Sequence, residues 1–190
     1  MLYPEEKKRW YVKAPAFSFT KLSGLDAYLS PEMKSTGEAI GYDDKLTRAL
    51  YKALQASGTK VVNYGTVFVT LADADKEEAL PIVRRFYNLG FNIEATHGTA
   101  NFLRNHGIRT RAKGKISDGS TEIIDLLRGG NVTYVINTRD LNSTEQETDG
   151  FILRRAVVEN NVTMFTSLDT VRVLLDVLEE ITIGVSTIDA

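Results

Sequence analysis

Residues 96–99 read Thr-His-Gly-Thr and lie within the stretch TVFVTLADADKEEALPIVRRFYNLGFNIEATHGTAN at 66–101. The pattern is strand, helix, strand, then a short turn opening into a second helix. Two hydroxyls and a glycine therefore fall where a strand's carboxyl end meets a helix's amino end. Unpaired backbone N–H groups and the positive end of the helix dipole make such a junction an anion site. Ligands of an open α/β sheet bind beyond the carboxyl ends of its strands, a rule that adds residues 70–76, 113–115 and 137–138. Hydroxyls, an amide, glycine and lysines suit a phosphate: N–H and O–H donors face its oxygens, and ammonium groups supply the charge. No convergent carboxylate pair, serine–histidine pairing or metal-ligand cluster falls at these strand ends, so no catalytic and no metal-binding residue is expected.

Each of these residues also has a plainer use. Thr96 and Thr99 can cap the following helix, and His97 can be an exposed or structural turn histidine. Lys76, Lys113 and Lys115 can be solvated surface charges, and Asp73 and Asp75 are most simply helix-capping carboxylates. Only their joint position at strand ends favours the phosphate reading.

The elements that must hold these residues follow from periodicity. VFVTL at 67–71 is a nearly continuous apolar run, as expected of a strand covered on both faces. Residues 75–89 predict a helix with Ala79, Val83, Phe86 and Tyr87 on one face, ended by Gly90. Pro81 removes a backbone hydrogen bond, so that helix either begins late or bends. FNIEAT is the next strand, GTANFLRNHG a short helix, IRTRAKGKI a strand followed by a loop, and SDGSTEIIDLLRGG a helix capped by Ser or Asp. VTYVIN is the strongest strand, TRDLNSTEQETDG an exposed loop, ILRRAVVENN a helix and VTMFT a last short strand. LDTVRVLLDVLEEI then forms a helix with Val171, Leu174, Leu175 and Leu178 on its core side; the tail TIGVSTIDA carries no pattern. Strands alternating with helices at this spacing imply a parallel sheet with helices on both sides.

Residues 1–58 differ. RWYVKAPAFSFTKL alternates like an extended strand, with Pro15 at an edge or bulge. SGLDAYLSPEMKSTGEAIG suggests loops with short elements. DDKLTRALYKALQASG is an amphipathic helix capped by Asp43 or Asp44, with Leu46, Leu50 and Leu54 on one face and Gly58 as its stop. This piece cannot enclose a core of its own. It is either an arm packed on the domain or the trailing end of a larger domain.

Composition narrows the function classes. The 190 residues are 43% hydrophobic and 25% charged, an ordinary globular balance, and the net charge of -2 argues against general nucleic-acid affinity. The absence of cysteine excludes disulfides, thiolate metal sites and cysteine nucleophiles. With only His97 and His106, no histidine-rich metal site is expected. No signal-like start or membrane-length apolar run is present, so no membrane partner and a cytoplasmic location are expected.

At ATHGTA, residues 95–100, the chain resembles the methylglyoxal-synthase-like regulatory domain that ends the large subunit of carbamoyl-phosphate synthase. TLADADKEEALPIVRRFYNLGFNIEATHGTANFLRNHGI, YVINT at 134–138 and FILRRAVVENNVTMFTSL at 151–168 carry the resemblance. VKAPAFSFTKLSGLDAYLSPEMKSTGEAIG resembles the end of that subunit's second ATP-grasp half, most recognisably in PEMKSTGE at 31–38. The resemblance implies a three-layer α/β fold around a central, mostly parallel five-stranded sheet, plus an N-terminal extension. Residues 1–60 would be the tail of the carbamate-phosphorylating ATP-grasp domain with a connecting helix, and 61–190 the allosteric domain. The chain would then be a C-terminal fragment of a ligase that makes carbamoyl phosphate from ATP, bicarbonate and glutamine-derived ammonia for pyrimidine and arginine synthesis. The fragment alone would have no synthetase activity and no cofactor. ATP and magnesium or manganese belong to the parent enzyme.

By the same resemblance a nucleotide effector's phosphate is held by Thr70, Lys76, Thr96, Gly98, Thr99, Lys115, Asn137 and Thr138. Arg139 stands where nucleotide-binding relatives can carry a further threonine, and is an additional effector contact suited to a pyrophosphate. Uridine monophosphate is the implied inhibitor, with inosine monophosphate or phosphoribosyl pyrophosphate as activators in some relatives. Met164 occupies the place of a tyrosine in relatives activated by ornithine, so no ornithine response is expected. The implied partners are a glutaminase small subunit and, since such domains also make subunit contacts, further copies of the chain.

Three other functions share parts of this pattern. Methylglyoxal synthase, which eliminates phosphate from dihydroxyacetone phosphate, has the same turn but carries its carboxylate base in a Gly-Gly-Asp loop. The loop here reads NTRDLNST, with Asp140 as the only candidate. The transformylase-linked cyclohydrolase of purine synthesis also uses such a turn, but PEMKSTGE argues against it. A pure assembly module is the third.

Overall fold

The computed structural model describes residues 10–15, 38–43, 46–139 and 144–188. Five strands form the central sheet: β3 (Thr66–Thr70), β4 (Asn92–Thr96), β5 (Thr110–Lys113), β6 (Val132–Asn137) and β7 (Thr163–Phe165). Their order is β5-β4-β3-β6-β7, and every pairing is parallel. β3 and β6 are buried along their whole length, which is why both read as nearly unbroken apolar runs.

Helices cover both faces. On one side α2 (Lys76–Asn88), α3 (His97–Asn105) and α6 (Leu168–Ile188) close over Val67, Val69, Ile93, Tyr134 and Ile136. On the other, α4 (Glu122–Arg128) and α5 (Thr144–Glu159) bring Ile123, Leu127, Leu153 and Val157 onto Phe68, Val135 and Met164. The result is a three-layer α/β sandwich. The helix α1 (Leu46–Ala56) adds Leu54 to the first core and packs Leu50 and Tyr51 beside it. Ahead of it, β1 (Trp10–Pro15) and β2 (Glu38–Asp43) form an antiparallel pair. Phe17, Phe19, Asp44 and nearly all of PEMKSTGE lie outside the described residues.

Several elements differ from the sequence reading. The α2 core face is Ala79, Ile82, Val83 and Phe86, while Tyr87 is 38% exposed at the edge of the stripe. Helix α2 begins at Lys76 and runs on through Pro81, which lies on the exposed side. Helix α4 begins only at Glu122, after a 3-10 turn at Ile116–Asp118. The segment expected to be a loop up to residue 150 is helical from Thr144, and α6 extends through most of the tail. Among the described residues no helix is long and apolar enough to cross a membrane.

Two local devices fix the sheet. Gly65 has φ +113°, and a Cβ there would meet Thr133 Oγ1 at 2.1 Å, because that hydroxyl donates to the Tyr64 carbonyl at 2.7 Å. Only glycine lets the chain enter β3 at this point. The second device is the buried Tyr134, whose hydroxyl accepts from Val62 N–H at 2.8 Å and faces the carbonyls of Lys60 at 2.8 Å and Val62 at 3.0 Å. It pins the connection between α1 and β3, and burial pushes its phenol up to about 12.

Candidate functional site

Parallel strands all end on one side, so the carboxyl ends of β3, β4 and β6 put Thr70, Thr96 and Asn137 side by side. They line a cavity of about 30 Å³, open to solvent on one side, that is also bordered by Lys115, Arg139 and, from α5, Asp149 and Gly150. That space takes a phosphoryl group or a pair of waters but not a nucleoside.

The hydroxyls are arranged as donors. Thr96 Oγ1 lies 3.4 Å from both Thr70 Oγ1 and Thr99 Oγ1. Thr99 Oγ1 accepts from Leu71 N–H at 3.2 Å, leaving its own proton to give. One proton on Thr96 cannot satisfy both neighbours, so the cluster has protons left for an anion. Asn137 Oδ1 accepts from Arg139 N–H at 3.2 Å, which leaves its amide NH₂ as a donor. Thr138 is spent on structure: its hydroxyl accepts from Ala72 N–H at 3.2 Å and its own N–H donates to the Thr70 carbonyl at 3.1 Å.

The cations are placed by turns. Lys76, the first residue of α2, reaches the start of α3, where its Nζ would lie 3.8 Å from a Cβ built on Gly98. Asp73 holds it there at 2.6 Å. Hydrogen bonding and charge attraction to Lys76, aided by Arg139 and Lys115, hold the Asp73 carboxyl below its usual range. Lys115 is aimed by a tight loop. A Cβ at Gly114 would strike Ser120 Oγ at 2.7 Å, and the Lys115 carbonyl accepts from Asp118 and Ser120 N–H. Thr96 is the N-cap of α3 but makes no side-chain cap bond, and neither does Asp75 at α2. The capping readings of Thr96 and Asp75 are therefore corrected.

Thr70, Thr96, Lys115, Asn137 and Arg139 thus border one cavity, with Lys76, Gly98 and Thr99 immediately behind at the α3 amino end. Lys113 does not join them. Its Nζ pairs with the buried Glu94 at 3.6 Å, away from the cavity. Asp140 lies outside the described residues. Among the described residues no group of three or more His, Cys, Asp or Glu is placed to hold a metal ion.

The sequence reading missed Asp149. Its Oδ1 is buried at the cavity and has no hydrogen-bond partner. A buried acceptor left unpaired costs about 1–3 kcal/mol, so a ligand carrying a hydroxyl or amine donor beside its phosphate satisfies it. Its position inside a polar run, twelve residues beyond Asn137, gave no signal.

Residues 78–166 match the family model of the MGS-like domain. The match runs from the first turn of α2 to the end of β7 and takes in Thr96, Gly98, Thr99, Lys115, Asn137 and Asp149, but not Thr70 or Lys76. This part of the chain is an MGS-like domain.

Proposed function

We propose that the chain is the allosteric effector region of a carbamoyl-phosphate synthase large subunit, and that the cavity holds the phosphate of a nucleotide effector. One observation carries this reading: hydroxyl and amide donors from three strand ends converge with Lys115 and Arg139 on a phosphoryl-sized space, with Lys76 behind them at the amino end of α3. The orphaned Asp149 oxygen supports a ligand with a ribose diol. The resemblance of PEMKSTGE and its flanks to an ATP-grasp domain supports the synthase as parent. On this reading ATP, its divalent metal and the glutaminase small subunit engage other parts of that cytoplasmic enzyme, and this chain performs no chemistry. The effector acts only by binding one conformation of the enzyme better than another.

Calorimetric titration with uridine monophosphate, inosine monophosphate and phosphoribosyl pyrophosphate tests the proposal, repeated with Lys76→Ala and Thr99→Val. Binding that weakens in both variants is expected, and unchanged affinity in both would remove the assignment.

Asp149 also favours a second reading, a lyase of the methylglyoxal synthase type, since a carboxylate beside a phosphate pocket is what that elimination needs. Methylglyoxal formed from dihydroxyacetone phosphate by the chain, and lost in Asp149→Asn, would establish it. A chain that binds nucleotide and forms no methylglyoxal would exclude it.

A further inference from the structure

Helices α4 and α5 cover their face of the sheet over β3, β6 and β7 only. Glu94 lies in register with Phe68 on one side and Arg111 on the other, so β4 and β5 present polar side chains on that same face. Above them lies a recess of about 790 Å³ that extends around the amino ends of the strands. It is the opposite end of the sheet from the phosphate cavity.

Its charge contrasts with that of the whole chain. Lys60, Arg109, Arg111 and Lys113 line it against one carboxylate, Glu94, in a protein of net charge -2. Lys113 is engaged by Glu94 at 3.6 Å. Among the described residues Lys60, Arg109 and Arg111 have no anionic partner, and all three are exposed. Tyr64, 71% exposed, stands at the rim with Tyr87. Exposed tyrosine beside unpaired arginine is the composition of a protein-binding hot spot.

We propose that this recess docks an acidic, extended segment of a partner polypeptide. Carboxylates of the segment pair with the Arg109 and Arg111 guanidinium groups, which accept them in a bidentate fork. Tyr64 and Tyr87 pack against its carbon chain. The buried Glu94 carboxylate in the floor accepts a backbone or side-chain donor from the segment. A peptide backbone offers that carboxylate an N–H donor and a phosphate backbone offers none, so a peptide fits the recess better than nucleic acid does. The open, polar lining differs from the mostly apolar wall of a small-molecule pocket.

The test is fluorescence anisotropy of a fluorescein-labelled peptide of alternating Glu and Tyr, titrated with the whole chain at low salt, where such pairs are least screened. We expect saturable binding that weakens about tenfold or more in Arg109→Glu/Arg111→Glu, and also in the single variant Lys60→Glu, with thermal unfolding unchanged in both. No binding by the unmodified chain, or equal binding by the charge-reversed variants, overturns the proposal. So does tighter binding of an oligothymidylate of matched length, which would assign the recess to nucleic acid.

Discussion

The Asp73 carboxylate sits 2.6 Å from the Lys76 ammonium, within the electrostatic reach of Arg139 and Lys115, and it is almost wholly exposed. An exposed carboxylate drawn down by Lys76, with Arg139 and Lys115 contributing, marks a positive opening whose counter-ion is held only at the surface. An incoming phosphate competes with Asp73 for the same cation. Asp73→Asn should therefore tighten uridine monophosphate binding by about 1.5- to fivefold, the range of one exposed ion pair. Calorimetry showing unchanged or weaker binding would rule the displacement out.

Thr99 carries two duties. Its hydroxyl receives the buried Leu71 N–H and faces the threonine cluster. Thr99→Val should cost about 1–3 kcal/mol of stability by stranding that N–H and should also weaken phosphate binding. Thr99→Ser should restore both. Urea unfolding beside calorimetry separates the effects; a valine variant as stable as the parent chain would show that the hydrogen bond contributes nothing.

The cavity of about 30 Å³ is too small for a nucleoside, and Asp149, Gly150 and Leu153 of α5 form one of its walls. A nucleotide whose phosphate enters leaves its nucleoside at the open mouth of the cavity, against the start of α5. Amide hydrogen exchange across residues 144–153 should change when uridine monophosphate is added, while β3 and β6 stay protected. An identical exchange pattern with and without ligand would mean that the nucleotide does not enter here.

Tyr134 ties stability to alkaline pH. Burial raises its folded pKa to about 12 against the ordinary 10.0, so the folded state holds the phenolic proton more tightly. The resulting stabilisation is fully present below pH 10 and is lost as pH rises through 12, about 3 kcal/mol in all. Tyr134→Phe should remove this term and leave the Val62 N–H without its acceptor. Unfolding curves at pH 8 and pH 11 should therefore converge more closely for the variant than for the parent chain. Equal pH dependence in both would refute the linkage.

The legible parts of the chain were those whose pattern is local. VTYVIN and VFVTL are apolar throughout because both faces of these strands are covered, and periodicity marks such segments well. The α6 core residues Val171, Leu174, Leu175 and Leu178 are all fully buried, as their spacing predicts. Residues 144–150 gave the opposite result. TEQETDG has no apolar stripe, yet it is helical, because helix extends from a nucleus at modest cost once Leu153, Ala156 and Val157 are packed. Tyr87 failed for a geometric reason: it sits at the margin of the α2 stripe, where the helix passes beyond the sheet into the open recess.

The placement of the strand-end hydroxyls was determined by the sequence itself, since a strand running into a helix places Thr70, Thr96 and Thr99 at the junction whatever surrounds it. Which charges meet them was decided by tertiary structure. Lys113 and Lys115 are two residues apart and look equivalent in the chain. A buried carboxylate at Glu94 draws Lys113 away, while Gly114, pressed against Ser120, turns Lys115 into the cavity. Asp149 reaches the same space only because α5 folds back across β3 and β6. Backbone geometry propagates over a few residues and is written locally. The pairing of charges depends on which distant segments share a low-dielectric space, and only the folded chain settles that.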